Sequence, residues 1–243
     1  MSLGGPVWRL RYTELWAVLD DIPVKHIELI HEAARSPALP VSPEQAAALV
    51  RHCELIIRHG RRTNLTGRSD VEALIREDVA DSLALVPLIK SRDRLLDLGS
   101  GAGFPGIPIA ICREDLALTL CEPRRKRAAF LRLVIVELGL RTVELVAARA
   151  EGLATDPAHA GAYDVVTARA VADLADLARI AMPLLRDGGR LLAMKGPRAE
   201  DEAMSAAEAI GESGARLVAV HETPNPLAGK AHVVVEIVRG PSA

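Results

Sequence analysis

From Arg94 onward, short apolar runs of strand length alternate with stretches of helix length. Strands are expected at 94–98, 116–121, 143–147, 163–168, 189–194, 216–221 and 231–238, and helices at 105–112, 125–138, 173–186 and 199–213. Strands joined by helices pair in parallel, so this alternation predicts an α/β fold built on a doubly wound sheet. The last two strands break the pattern. Only residues 223–229, with Pro224, Pro226 and Gly229, separate them. That stretch is too short for a crossover helix, and the final strand is expected to run antiparallel.

Ahead of the sheet the sequence divides into a variable extension at 1–40 and a helical region at 41–92, leaving 93–243 for the sheet domain. Apolar positions at helical spacing occur at 15–19 and 22–30, interrupted by Pro23. Ser42-Pro43-Glu44-Gln45 reads as a helix start, with Ser42 as cap, Pro43 in the first position and Gln45 closing a capping box. The helix is expected to reach about His59 and stop at Gly60. A second, from about Asp70 to Ile89, carries Val71, Leu74, Ile75, Val79, Leu83 and Val86 on one face.

Composition narrows the function classes. With 49% hydrophobic and 26% charged residues the chain can form a core. Aromatics at 2% argue against a sheet that stacks RNA bases. Cys53, Cys112 and Cys121 form no Cys-x-x-Cys pair, and they read as reduced core thiols. No stretch approaches the roughly 20 apolar residues that span a bilayer, and none resembles a signal peptide. A soluble, cytoplasmic, monomeric protein is the expectation. His52 and His59 lie two helical turns apart without a third ligand, so no metal is expected. The net charge of −2 hides two basic segments: Arg58, Arg61, Arg62 and Arg68, then Arg124, Arg125, Lys126, Arg127 and Arg132. Such segments can contact phosphates on an otherwise near-neutral protein.

The most specific local feature follows the first strand. Gly99, Gly101 and Gly103 sit in Leu98-Gly-Ser-Gly-Ala-Gly-Phe-Pro-Gly-Ile-Pro108 and open a helix. Glycines there let a ligand approach the backbone closely. Gly101-x-Gly103-x-x-Gly106 is formally a dinucleotide fingerprint. Read from Asp97, the same stretch is the Asp-x-Gly-x-Gly-x-Gly form that binds S-adenosylmethionine (SAM). SAM carries cationic groups and no phosphate, so an acid beside the turn favours it. Glu122, ending the next strand, is placed to hold ribose hydroxyls of either cofactor. The antiparallel last strand favours SAM. On these residues alone, an NAD-linked oxidoreductase or a non-catalytic nucleotide- or RNA-binding module remains the alternative.

From about residue 44 the chain resembles the glucose-inhibited division protein B family, also called RsmG. The resemblance is carried by Asn64-Leu-Thr66, Asp81-Ser82, the Gly-Phe-Pro-Gly-Ile-Pro turn, and Glu122 with Lys126-Arg127 and Phe130-Leu-Arg132. It continues in Arg149-Ala-Glu151, Ala168-Arg-Ala170 and Met194-Lys-Gly196. It implies a class I SAM-dependent methyltransferase fold and methylation of guanine N7 in 16S ribosomal RNA, as naked small-subunit RNA or ribosomal particle. It further implies that Gly99 and Phe104 contact SAM, that Ala150 and Glu151 lie beside the adenine, and that Arg169 reaches the site. Guanine N7 has no proton to lose, so no general base is expected. Arg169 and Lys195 then read as anchors for phosphate, guanine O6 or the SAM carboxylate. Arg124, Arg125, Lys126 and Arg127, with Arg61 and Arg62, read as RNA contacts. The chain departs from the family in three places. Glu77-Asp78 stands where members usually carry Arg-His or Lys-His, His59 where many carry Trp, and Ala231 where many carry Arg.

Overall fold

The computed structural model describes residues 22–63, 65–169, 171–223, 225, 227–228 and 232–241. The apolar positions at 15–19, residue Ala231 and the side chains of Arg61 and Arg62 lie outside the described residues. The stretch read as an extension carries a helix of its own, α1 (Val24–Arg35), which follows Pro23, ends before Pro37 and packs into the same core as the helical region. The second helix, α2 (Pro43–Thr63), starts as its sequence dictates. Ser42 Oγ accepts from the Gln45 amide at 3.2 Å, and Gln45 Oε1 accepts from the Ser42 amide at 2.9 Å. The helix does not stop at Gly60. A glycine costs about 1 kcal/mol in a helix interior, and the buried face of Leu49, Cys53 and Ile56 outweighs it.

The expected 70–89 helix is three pieces. Asp70 caps α3 (Val71–Ala73) by accepting from the Ala73 amide at 2.8 Å. The wider π-helical turn Leu74–Val79 follows, then α4 (Ala80–Ala84). A 3-10 turn, Val86–Leu88, closes the segment around Pro87. The apolar face survives, because Leu74, Ile75, Val79, Leu83 and Val86 are all buried. The π turn also carries Asp78 into the buried side.

The sheet has seven strands: β1 (Arg94–Leu98), β2 (Ala117–Cys121), β3 (Val143–Val146), β4 (Tyr163–Arg169), β5 (Leu185–Lys195), β6 (Ala215–Thr223) and β7 (His232–Arg239). Their order is β3-β2-β1-β4-β5-β7-β6. The first five run parallel, and β7 is antiparallel to both β5 and β6. The expected helix 173–186 is shorter. Pro183 interrupts it, and β5 begins at Leu185.

Successive strand residues point to opposite faces. Leu95, Val165, Leu192 and Val234 enter one core, while Leu96, Val166, Leu191 and Val235 enter the other. The first core is covered by α5 (Gly106–Cys112), α6 (Arg125–Glu137) and the whole helical region. The second is covered by α7 (Ala150–Ala154), α8 (Leu174–Ala181) and α9 (Ala199–Glu212). The strand order reverses between β1 and β4, and crevices at such points are where open α/β sheets bind ligands.

Candidate active site

The turn after β1 is stitched to β2. The amides of Gly99 and Ser100 donate to the Cys121 carbonyl at 2.9 and 3.1 Å. Gly99, Gly101 and Gly103 all take positive φ, at 66°, 57° and 100°. The inner glycines are also needed for space. A Cβ on Gly103 would lie 2.6 Å from Ile107 Cγ1, and one on Gly106 would lie 2.7 Å from Asp97 Oδ2. Gly101 differs: a Cβ there would meet nothing closer than the Gly99 carbonyl at 3.6 Å and Arg127 Nη1 at 3.7 Å. The turn packs inward through Gly103 and Gly106 and leaves room at Gly101.

Glu122 ends β2 with 2% exposure. One carboxylate oxygen accepts from the Gly101 amide at 3.0 Å and the other from the Arg124 amide at 2.8 Å. Each oxygen keeps a lone pair for a further donor. Asp97 faces the other way. It is fully buried, accepting from the Gly106 amide at 3.3 Å and from the Thr167 hydroxyl at 3.1 Å. Burial pushes its pKa up to about 7. Its carboxyl braces the turn from beneath.

Phe104 is buried between His52 of α2 and Arg169 of β4. His52 lies 4.9 Å from it, ring to ring, and the Arg169 guanidinium stands 5.2 Å from its centroid. His52 is itself fully buried, and burial lowers its pKa to about 4. It is therefore neutral near pH 7, and its Nε2 donates to the Ala102 carbonyl at 2.8 Å. Arg169 ends β4 and donates through Nη1 to Asp78 Oδ1 at 2.6 Å. Arg68 Nε lies on the second Asp78 oxygen at 3.3 Å, and Arg68 Nη2 reaches Glu77 at 2.6 Å. The charge inversion at 77–78 is thus matched by arginines. Lys195 sits further along the sheet edge. Its ammonium donates to the Ala172 carbonyl at 2.8 Å and to Glu202 at 2.7 Å. Ala150 is half-buried and Glu151 exposed at the start of α7. Arg124, Arg125 and Lys126 are exposed at the start of α6, with Arg127 half-buried and leaning toward Gly101.

Gly99, Gly101, Gly103, Phe104, Glu122 and Arg169 thus share the β1–β2–β4 edge, while the Lys195 ammonium is engaged by the Ala172 carbonyl and Glu202. His52, Asp78 and Thr167 were not among the residues the sequence singled out for the site. The acids at 77–78 were the one available signal, since a buried acid demands a cationic partner. The residues fit SAM: the carboxylate of Glu122 suits ribose hydroxyls, and the space at Gly101 admits a ligand against the backbone. Among the described residues no group of three or more His, Cys, Asp or Glu could hold a metal ion. Nor is any described helix long and apolar enough to cross a membrane.

Solved structures share this architecture. The M. jannaschii TYW2 structure in complex with AdoMet superposes with a TM-score of 0.53 at 16% identity, covering 67% of this chain and 76% of that one. A SAM-dependent methyltransferase from Aquifex aeolicus gives 0.51 at 17%, covering 68% and 92%. The [4+2]-cyclase SpnF gives 0.52 at 14%, covering 84% and 99%, so the fold alone does not fix the reaction. The fold is that of the class I SAM-dependent methyltransferases. Sequence carries the assignment further. The family model described as rRNA small subunit methyltransferase G matches residues 45–233. Ribosomal RNA small subunit methyltransferase G of Pelotomaculum thermopropionicum is 39% identical, covering 86% of this chain and 89% of its own. The Deinococcus radiodurans protein of the same name is also 39% identical, covering 86% and 83%. The chain belongs to the rRNA small subunit methyltransferase G family, the GidB family, and is a SAM-dependent methyltransferase. The NAD-linked reading of the glycine turn and the non-catalytic alternative are set aside.

Proposed function

We propose that the protein methylates N7 of a guanine in 16S ribosomal RNA at the β1–β2–β4 edge of its sheet. The observation that carries this is the pairing of a turn open at Gly101 with the Glu122 carboxylate and, beside them, Arg169, whose Nε and Nη2 have no hydrogen-bond partner among the described residues. SAM, when bound, supplies an electrophilic methyl group. In this reading Glu122 holds the ribose hydroxyls, Gly99, Gly101, Gly103 and Phe104 shape the cofactor seat, and Ala150 and Glu151 border the adenine. Asp97 acts from below, keeping the turn in shape through the Gly106 amide.

Arg169 contacts the guanine O6 edge, a match of charged donor to carbonyl acceptor. N7 carries a lone pair and no proton, so no side chain need remove one. Catalysis is then alignment and exclusion of water, worth about 7–11 kcal/mol in favourable cases. Lys195 contributes indirectly, holding Glu202 and the Ala172 carbonyl at the rim. Arg124, Arg125, Lys126 and Arg127 position RNA phosphates, together with Arg61 and Arg62. The protein acts as a cytoplasmic monomer on small-subunit RNA or its particle.

Glu122→Ala tests the cofactor seat. It should weaken SAM binding by about 1.5–3 kcal/mol in calorimetric titration, the cost of charge-assisted hydrogen bonds. Unchanged affinity would remove Glu122 from the seat. Transfer of labelled methyl from SAM to unmethylated small subunits, mapped to the modified base, tests the reaction. Methyl on any atom other than guanine N7 would refute it.

A further inference from the structure

We propose that Asp78 is a positioning residue for methyl transfer, fixing the direction in which Arg169 faces its target. The proposal rests on the reading that Arg169 contacts the substrate. A guanidinium at a strand end has several rotamers, and an orienting partner removes that freedom before substrate arrives. Arg169 is fixed at two points. Its Nη1 is held by Asp78 at 2.6 Å, and its guanidinium carbon stands over the Phe104 ring, 5.2 Å from the centroid. Among the described residues its Nε and Nη2 have no hydrogen-bond partner, so one edge of the fork is left for a ligand. The side chain remains 28% exposed, while Asp78 is 7% exposed.

Asp78 is in turn immobilised. It sits on the π-helical turn Leu74–Val79, which turns it into the buried side. Arg68 braces its second oxygen and is anchored by Glu77 on the same turn. The brace comes from the loop before α3, where Thr66 Oγ1 accepts from the Arg68 amide at 3.1 Å. Through this carboxylate, 91 positions before its arginine, the helical region reaches the reacting edge of the sheet. A buried ion pair can also serve stability alone, so the test must separate aiming from folding.

The experiment measures kcat, the SAM dissociation constant and thermal stability for Asp78→Asn, Arg169→Gln and the double variant, with unmethylated small ribosomal subunits as substrate. Asp78→Asn keeps the shape and removes the charge. It should leave SAM affinity near wild type while kcat falls about tenfold to a hundredfold, the scale of a misplaced contact. Arg169→Gln should lose at least as much. The double variant should be no slower than Arg169→Gln alone, because residues acting through one another are not additive. Asp78→Glu should recover part of the rate. If Asp78→Asn does not fold, Arg68→Ala carries the same cycle, since Arg68 is 38% exposed. Additive losses, or a wild-type kcat for Asp78→Asn beside a slow Arg169→Gln, would overturn the proposal alone. A wild-type rate for Arg169→Gln would overturn the reading of the site and the proposal with it.

Discussion

The turn rests on two buried titratable side chains whose pKa values are displaced in opposite directions. His52 titrates at about 4 in the fold against 6.5 for a free imidazole. Between those values the unfolded chain binds the extra proton, so acidification destabilises the protein. Asp97 titrates at about 7 against 3.8 for a free carboxyl. Here the folded state binds the extra proton, so its contribution is lost as pH rises from 3.8 toward 7. Each slope reaches about 1.4 kcal/mol per pH unit, and in the shared window they oppose. His52→Gln should therefore lose stability relative to wild type as pH rises from 4 to 6.5. Asp97→Asn should gain over the same range, because Asn can still accept from Gly106 and face Thr167. Urea unfolding at pH 4.5, 5.5 and 6.5 checks this, and profiles parallel to wild type would contradict it. The sequence identified Asp97 as the acid beside the turn. It could not tell which way the carboxyl faced, because that depends on Thr167, seventy positions later on β4.

Elements were legible where local chemistry decides them. Ser42 and Gln45 form the capping box that their spacing dictates, and Asp70 caps α3. Elements were illegible where tertiary packing overrules local signals. Gly60 fails to stop α2, and the π turn at Leu74–Val79 hides inside an ordinary helical period. The five-residue α7 is too short to leave a periodic trace.

The start of α2 joins both regimes. Gln45 closes the box with its oxygen, and its Nε2 donates to the Ile111 carbonyl of α5 at 3.1 Å. Ser42→Ala should cost about 1 kcal/mol, the usual loss of a helix cap. Gln45→Ala removes the cap partner and leaves the Ile111 carbonyl without this donor. It should cost about 1–3 kcal/mol. Urea midpoints compare the two variants, and a milder Gln45→Ala would mean that the contact with α5 contributes nothing.

For the whole molecule, alternation after Arg94 was enough to read a doubly wound sheet, and a short final loop was enough to reverse β7. Periodicity carries no information about which helices cover which face. It therefore missed that the helical region joins α5 and α6 in one core.

That arrangement leaves the start of α6 beside the turn, and it raises an electrostatic question. Arg124, Arg125 and Lys126 stand exposed there, and the first turn of α6 contains no acid. Cations at a helix N-terminus cost about 0.3–1 kcal/mol each, so the cluster works against its own helix. A compensating contact with RNA phosphate would release counterions and steepen the salt dependence by about 0.7–0.9 per contact. Arg124→Ala with Arg125→Ala should leave SAM affinity near wild type, because Glu122 accepts from the Arg124 backbone amide, which the substitution keeps. Methylation of small subunits should weaken. The slope of its apparent affinity against log salt should become shallower by about one to two units. Arg127 is left in place, because its guanidinium leans toward Gly101 and its loss would confound cofactor and RNA effects. A wild-type rate with an unaltered slope would reduce this segment to a solvated helix face and move the phosphate contacts to the other basic segment, where Arg58 is exposed and Arg68 is already paired with Asp78 and Glu77.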